Sequence, residues 1–281
     1  MSDGDIDFQS LKTNLDCWHQ AGVRGYVALG STGERVHLDE REYLSVIEAA
    51  RAEIPGESIF IAGAGQQSTQ KTIAEIKLAA RAGVDAVLVL TPYYYRPAIT
   101  QEVLGNYYRA VAEGSPVPVI LYSMPALTGI NIDPPTVAQL STHENIIGLK
   151  DSSGNLEGLK NTLSLVNRDF AVLTGNATIL FDALVAGARG GILAVGCLVP
   201  EVCLEILKAV KAGDHKRAEL LQSRLTPLAV AVTTRYGIGG LKAAMDLNGY
   251  KGGSVRAPLS SPANGVREEL AQLLNEMEKI L

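Results

Sequence analysis

Lys150 stands in the run Ile146-Ile147-Gly148-Leu149, a strand-like stretch so apolar that a strongly hydrated ammonium is out of place in it. Burial lowers the pKa of an amine, and a desolvated lysine is a nucleophile near neutral pH whose standard use is an imine with a carbonyl substrate. The same position also suits a lysine ion-paired to a buried carboxylate, with neighbouring Asp151 the obvious partner. Tyr122 ends the preceding apolar run, Val117 to Ser123 (VPVILYS). If consecutive strands lie side by side, phenol and amine can meet. A phenol with a reference pKa near 10 can shuttle protons, or it can simply cap the mouth of a barrel. Ser31-Thr32-Gly33 adds two hydroxyls and backbone N–H groups in a glycine-loosened turn, expected to open a helix at Glu34. Such a turn can cradle a carboxylate with help from the helix dipole, and it can equally be an ordinary N-cap. On the functional reading of all three, an amine, a proton carrier and an anion cradle suit imine chemistry on a carbonyl substrate that carries a carboxylate; on the other, they are an ion pair, a barrel-mouth tyrosine and an N-cap.

Other groups carry less. The four histidines, His19, His37, His143 and His215, have neither HxH nor HExxH spacing, so no metal is expected, and the imine requires no organic cofactor. Gly63-Ala64-Gly65-Gln66-Gln67-Ser68 lacks the third glycine and acidic partner of a dinucleotide turn and reads as a strand-to-helix turn. Cys17, Cys197 and Cys203 make an odd count without a CxxC pair, which favours neither disulfides nor a thiolate zinc site. Cys197 has no histidine to activate it and reads as a buried structural thiol. A net charge of -5, with only 25 Lys and Arg and no charged runs, excludes a nucleic-acid or anionic-membrane partner. The acidic N-terminus lacks a signal-peptide pattern and no stretch of about 18 apolar residues occurs, so a soluble cytoplasmic protein is expected.

The elements that must position these groups recur at the spacing of a βα unit. Apolar runs lie at 25–30, 58–63, 86–91, 117–123, 146–152, 171–175 and 191–196, with helical patterns at 41–52, 69–81, 101–112 and 155–166 between them. Strands this apolar, alternating with helices, require a parallel sheet covered by helices. Even spacing favours an α/β fold of the (β/α)8 TIM-barrel type over a doubly wound sheet. The runs number seven where such a barrel has eight strands, and the opening SDGDIDF reads as the polar loop after a first strand missing from the chain. The expected division is a catalytic barrel over 1–199 and a C-terminal helical appendage over 200–281, with helices at 200–211, 215–231, 240–247 and 265–281.

Taken together, these segments resemble the dihydrodipicolinate synthase / N-acetylneuraminate lyase family of pyruvate-dependent class I aldolases. GSTGE (30–34) is similar to the family's carboxylate-binding turn and TPYYY (91–95) to its tyrosine segment. LYSMPALTG (121–129) is similar to the segment of its proton-shuttle tyrosine, and GLKDSSG (148–154) to that of its Schiff-base lysine. The resemblance implies Lys150, Tyr122 and Tyr94 as catalytic residues, with Tyr94 extending the proton relay across a subunit interface. It implies Ser31, Thr32, Ser152 and Gly175 around the substrate and a backbone carbonyl from Leu193 in GGILAV (190–195). It also implies a homo-oligomer built as a dimer of dimers and an apolar first strand ahead of Met1. Leu127 stands where the synthases of the family keep an arginine for the second substrate's carboxylate, which an aliphatic side chain cannot bind. AVTTRYGIGGLKAAMDLNGYKGGSVRAPL (231–259) and YSMPALTG are most similar to 4-hydroxy-2-oxoglutarate aldolase-type members. The implied reaction is cleavage of a 4-hydroxy-2-oxo acid or 2-keto-3-deoxy acid to pyruvate, or a glyoxylate-type oxo acid, plus an aldehyde. The alternatives are a Schiff-base dehydratase of a deoxy sugar acid, a dihydrodipicolinate synthase, and a non-catalytic 2-oxo-acid sensor.

Overall fold

The computed structural model describes residues 4–263 and 265–278. Its centre is one parallel sheet of seven strands in chain order: β1 Gly25–Ala28, β2 Ile59–Ala64, β3 Ala86–Leu90, β4 Val119–Ser123, β5 Ile146–Asp151, β6 Ala171–Thr174 and β7 Gly190–Gly191. Each strand pairs with the next. A doubly wound sheet would reverse its strand order at a switch point, so this uninterrupted order rules that alternative out and gives a curled, TIM-barrel-like half-barrel. Among the described residues nothing joins β7 back to β1.

The β-branched runs expected as strands are strands, with ends shifted by a residue or two. The last is the exception, since only Gly190–Gly191 pairs with β6 before Ala194–Cys197 winds into a 3-10 turn. Two glycines have no side chains with which to pack along a pleat, and glycine weakens a strand.

α1 Phe8–Gln20 leads into β1, and the strands are connected by α2 Glu40–Glu53, α3 Thr69–Arg81, α4 Gln101–Gly114, α5 Pro125–Thr128, α6 Pro134–Leu140, α7 Leu156–Leu165 and α8 Leu180–Ala186. Their starts follow local chemistry. Asp39 and Glu42 close a capping box on α2, the Thr100 hydroxyl caps α4, and prolines open α5 and α6. The opening segment expected as loop is irregular over residues 5–7, and an unanticipated helix follows it, Asp7 capping α1 by accepting from the Ser10 N–H at 2.9 Å. Leu11, Leu15 and Trp18 give α1 the i, i+4, i+7 stripe that packs it down.

Alternation along the strands sorts the two faces. Phe60, Ala62, Val87, Val89, Val119, Leu121, Leu149 and Val172 point outward beneath the helices. Ile61, Ala86, Leu88, Ile120 and Tyr122 fill the inside with Val27, Leu90 and Met124. Register carries the inner face across β5 and β6, since Ile120 pairs with Gly148, Tyr122 with Lys150 and Lys150 with Leu173. Small residues at 148, 171 and 175 leave this side of the interior to Lys150.

The C-terminal part comprises α9 Pro200–Lys211, α10 His215–Val230, α11 Gly237–Leu247 and α12 Val266–Glu278. A π-helical turn at Ala231–Arg235 fills the first half of the gap expected between the second and third of these helices, and α11 begins three residues earlier than expected, at Gly237. The expected helical residues 279–281 lie outside the described residues. The core of these helices reaches back to Ala177, Leu180 and Leu184, so apolar packing crosses the expected boundary at 199/200. Trp18 packs on both cores, stacks on Tyr250 at 6.0 Å and donates its indole N–H to the Cys197 carbonyl at 3.1 Å. Among the described residues no helix is long and apolar enough to cross a membrane.

Candidate active site at the carboxyl ends of the strands

Lys150 lies on the inner face near the end of β5, only 8% exposed. Asp151, the carboxylate considered as its partner, is next in the chain and therefore faces the other way, accepting from the Ser153 N–H at 2.8 Å. Among the described residues no carboxylate pairs with the Lys150 ammonium. Its Nζ sits 4.3 Å from the centre of the Tyr122 ring. Burial pushes the Lys150 pKa below that of a free lysine, while Tyr122 works the other way. The Lys150 amine thus sheds its proton more readily than a free lysine does, and imine formation uses the deprotonated amine.

Tyr122 is 4% exposed, and its hydroxyl lies 3.2 Å from Ser31 Oγ, so amine, phenol and Ser31 hydroxyl form a chain across the barrel from β5 through β4 to the end of β1. On the opposite flank, Gly175 makes room. A Cβ there would sit 1.8 Å from Ser152 Oγ and 2.8 Å from Lys150 Cε, so any side chain at 175 would displace both. The sequence-derived group of Lys150, Tyr122, Ser31, Ser152 and Gly175 is therefore one cluster.

The turn carrying Ser31 and Thr32 differs from expectation. It does not open a helix at Glu34. A short 3-10 turn, Arg35–His37, comes next, and α2 starts only at Glu40, so no α-helix dipole points at Ser31. Glu34 instead has φ 53°, and Leu29 at the turn's other end has φ 57°. Each left-handed residue costs about 1–2 kcal/mol for a side chain with a Cβ. Glu34 is buried with its carboxylate on Lys242 Nζ at 2.6 Å and accepting from the Arg256 N–H at 2.8 Å. Burial works to raise its pKa, but these partners outweigh it and hold the carboxyl below its usual range. Gly63 permits the turn's close approach, since a Cβ at 63 would lie 2.0 Å from the Leu29 carbonyl oxygen.

The remaining expected residues lie apart from the cluster or touch it only through backbone. Tyr94 is 72% exposed at the end of β3 and meets Tyr95 edge to face at 5.0 Å. Gln67 Oε1 fixes that loop by accepting from the Tyr93 and Tyr94 N–H groups, both at 2.8 Å. Leu127 on α5 is 65% exposed at the rim. The Leu193 carbonyl accepts from the Gly196 N–H at 3.2 Å and retains one lone pair. Thr32 adjoins Ser31 in the turn, half-buried.

Sequence reasoning missed the environment of Cys197, whose thiol is close enough to Lys150 for each to affect the other's charge. Burial raises that thiol to about 11, so it stays protonated beside the amine. Strand alternation could not have suggested the proximity, because register makes Gly190, paired with Leu173, the inward residue of β7, and the strand ends at Gly191 before the 3-10 turn that carries Cys197. Among the described residues no three His, Cys, Asp or Glu side chains are grouped to hold a metal. Two cavities lie away from the cluster. One of about 520 Å3 is lined by Cys17, Leu198, Glu201 and Tyr250, and one of about 240 Å3 by Arg35, Tyr43, Gln66 and Glu75.

The dihydrodipicolinate synthetase family model matches residues 1–277, and the chain belongs to that family. The 4-hydroxy-tetrahydrodipicolinate synthase of Syntrophus aciditrophicus (strain SB) is 35% identical over 275 residues, covering 96% of this chain and 92% of the relative. Among solved structures, the chloride-inhibited dihydrodipicolinate synthase from Acinetobacter baumannii complexed with pyruvate is 30% identical. It superposes with a TM-score of 0.94 over 99% of this chain and 95% of its own. YagE, a prophage protein of the same family from E. coli K12 in complex with pyruvate, is 29% identical with a TM-score of 0.91 over 99% and 95%. The chain is accordingly an enzyme, a lyase of the class I aldolase-like kind. The first of these relatives carries the synthase name, so the narrower likeness to 4-hydroxy-2-oxoglutarate aldolase-type members rests on the sequence motifs alone.

Proposed function

We propose that this lyase works through a Schiff base on Lys150 and cleaves a 4-hydroxy-2-oxo acid or 2-keto-3-deoxy acid to pyruvate and an aldehyde. The observation carrying the reading is the buried, carboxylate-free Lys150 amine against the Tyr122 ring, with the Tyr122 hydroxyl on Ser31. The substrate C1 carboxylate sits on the Ser31–Thr32 turn and the neutral amine attacks C2, losing water to give an iminium. Tyr122, having given its phenol proton to the water that departs as the iminium forms, then takes the proton of the C4 hydroxyl, the C3–C4 bond breaks to release the aldehyde, and the electron pair is held as the enamine. Protonation at C3 and hydrolysis return pyruvate and free Lys150. Ser152 and Gly175 shape the pocket wall, the Leu193 carbonyl faces the bound oxo acid, and Tyr94 passes protons to Tyr122 from a second copy of the chain in a homo-oligomer. No metal or organic cofactor takes part. An eighth strand between β7 and β1, and a cytoplasmic location, belong to the same reading.

A second reading, synthesis of 4-hydroxy-tetrahydrodipicolinate, has the name of the relatives in its favour. Leu127, exposed at the rim, weighs against it because it offers no guanidinium for a second carboxylate. A screen of 4-hydroxy-2-oxo and 2-keto-3-deoxy acids for pyruvate release tests the choice. Release of pyruvate and an aldehyde supports the lyase. Loss of water with the carbon chain intact indicates a dehydratase, and turnover only with pyruvate plus an amino-aldehyde acid indicates the synthase.

A further inference from the structure

The turn bearing Ser31 and Thr32 begins and ends on non-glycine residues in the left-handed region, Leu29 and Glu34. Such residues persist only where their surroundings over-determine them, and they gather at functional sites. At Leu29 the constraint is local: the side chain is buried and Gly63 presses against the backbone. At Glu34 it comes from a strap more than two hundred residues later. Lys242 Nζ binds the Glu34 carboxylate and the Ser254 carbonyl, both at 2.6 Å, while the Arg256 N–H holds the second carboxylate oxygen. The Arg256 guanidinium ties down the chain on either side of the turn, donating to the His37 carbonyl at 2.9 Å, to Glu42 at 2.7 Å and to the Gly4 carbonyl at 2.7 Å.

The strap itself is fastened. A Cβ at Gly252 would lie 1.9 Å from the Lys242 carbonyl oxygen, the Gly252 N–H reaches Asp246 at 2.8 Å, and Lys251 exchanges two backbone bonds with the Asn14 amide at 2.8 and 2.9 Å. None of these contacts reaches Lys150 or Tyr122. Those of Lys242 and the Arg256 N–H bear on the turn that faces Tyr122 through Ser31, and the others fasten the segment that makes them.

We propose that Glu34, Lys242 and Arg256 are positioning residues for the carboxylate end of the pocket, the strap 251–256 holding the strained turn so that the Ser31 and Thr32 hydroxyls meet the substrate carboxylate without reorganising. The proposal rests on the Schiff-base reading. It assigns the strap to carboxylate affinity and leaves the amine chemistry to Lys150.

The test compares pyruvate with methyl pyruvate, which keeps the ketone but lacks the anionic group, by the half-saturating concentration for borohydride trapping at Lys150. In Lys242→Met and in Arg256→Ala the value for pyruvate rises about tenfold, that for methyl pyruvate moves by less than about twofold, and maximal trapping is kept. Lys242→Arg, which keeps the cation, restores pyruvate affinity. An equal rise for both probes, or no rise, overturns the proposal. Amide exchange in the same variants reads the turn directly. The Gly33 and Glu34 N–H groups, bonded to the Gly30 and Ser31 carbonyls at 3.0 and 3.2 Å, exchange about tenfold faster once the strap is cut. Unchanged exchange would also defeat the proposal. If the unsubstituted protein traps no pyruvate, the lyase reading has failed, and the exchange result still decides whether the strap holds the turn. Should Lys242→Met not fold, Arg256→Ala decides alone.

Discussion

The reacting end of the pocket and its rim are built on opposite plans. Lys150, Tyr122 and Ser31 are held in a line by strand register and one hydrogen bond, the first two nearly inaccessible to water. Tyr94 and Tyr95 stand on the loop after β3 and Leu127 on the short helix after β4, and all three are mostly exposed. Rigid strands can hold reacting atoms to fractions of an ångström, whereas loops adapt to their ligands, so covalent chemistry and substrate choice fall to different parts of the fold. The buried end therefore fixes the reaction type, and the rim is where relatives with a common mechanism can diverge in the second half of the substrate.

The contrast breaks first at Tyr122. In Tyr122→Phe the ring still packs, so the covalent complex with pyruvate forms, while kcat falls by about 10²-fold or more with the loss of the proton carrier. A kcat equal to that of the unsubstituted protein would reduce Tyr122 to a packing residue and erase the distinction between the two regions.

Ser31→Ala removes one end of the same line and a hydrogen bond to a charged group. Its KM for the 2-oxo acid should rise by the equivalent of roughly 1–3 kcal/mol. Steady-state kinetics that show a fall in kcat with KM unchanged would move Ser31 from carboxylate binding to the proton relay.

Lys150→Met sharpens the contrast through stability. A lysine with a lowered folded pKa holds its proton longer in the unfolded chain, so its burial cost is fully present below the folded pKa and fades as pH rises towards 10.5. Urea unfolding should find Lys150→Met more stable than the unsubstituted protein at neutral and lower pH, with the gap closing near pH 10.5. A gap that widens with pH would mean that the folded amine is more basic than a free lysine.

The smallest effect belongs to the rim. Leu127→Ala should change unfolding free energy by less than about 0.5 kcal/mol and leave pyruvate trapping untouched, because an exposed side chain buries little on folding. Weakened trapping would place Leu127 at the reacting end after all.

Much of the reacting end was legible in the sequence because it depends on neighbours in the chain. A charged residue inside an apolar run and a tyrosine closing the run before it need only parallel pairing of consecutive strands to meet. The α1 helix is legible in principle through Leu11, Leu15 and Trp18, a spacing the sequence reading passes over between the opening loop and the first apolar run. The conformation of Glu34 was not legible, since a glutamate after glycine reads as a helix start. Its left-handed backbone is stabilised by Lys242 and Arg256, whose approach depends on how the C-terminal helices dock on the barrel. The shortness of β7 comes from paired glycines that apolar pattern alone overrides. The rim was legible as residue types only, because exposed tyrosines acquire a role from the surface that docks on them.

The central claim is that Lys150 is the nucleophile, and the direct measurement is mass spectrometry of proteolysed protein after borohydride reduction in the presence of pyruvate. The account predicts one adduct, of the mass of reduced pyruvate, on the peptide containing Lys150 and none in Lys150→Ala. An unmodified Lys150 peptide, or equal labelling in Lys150→Ala, would contradict it.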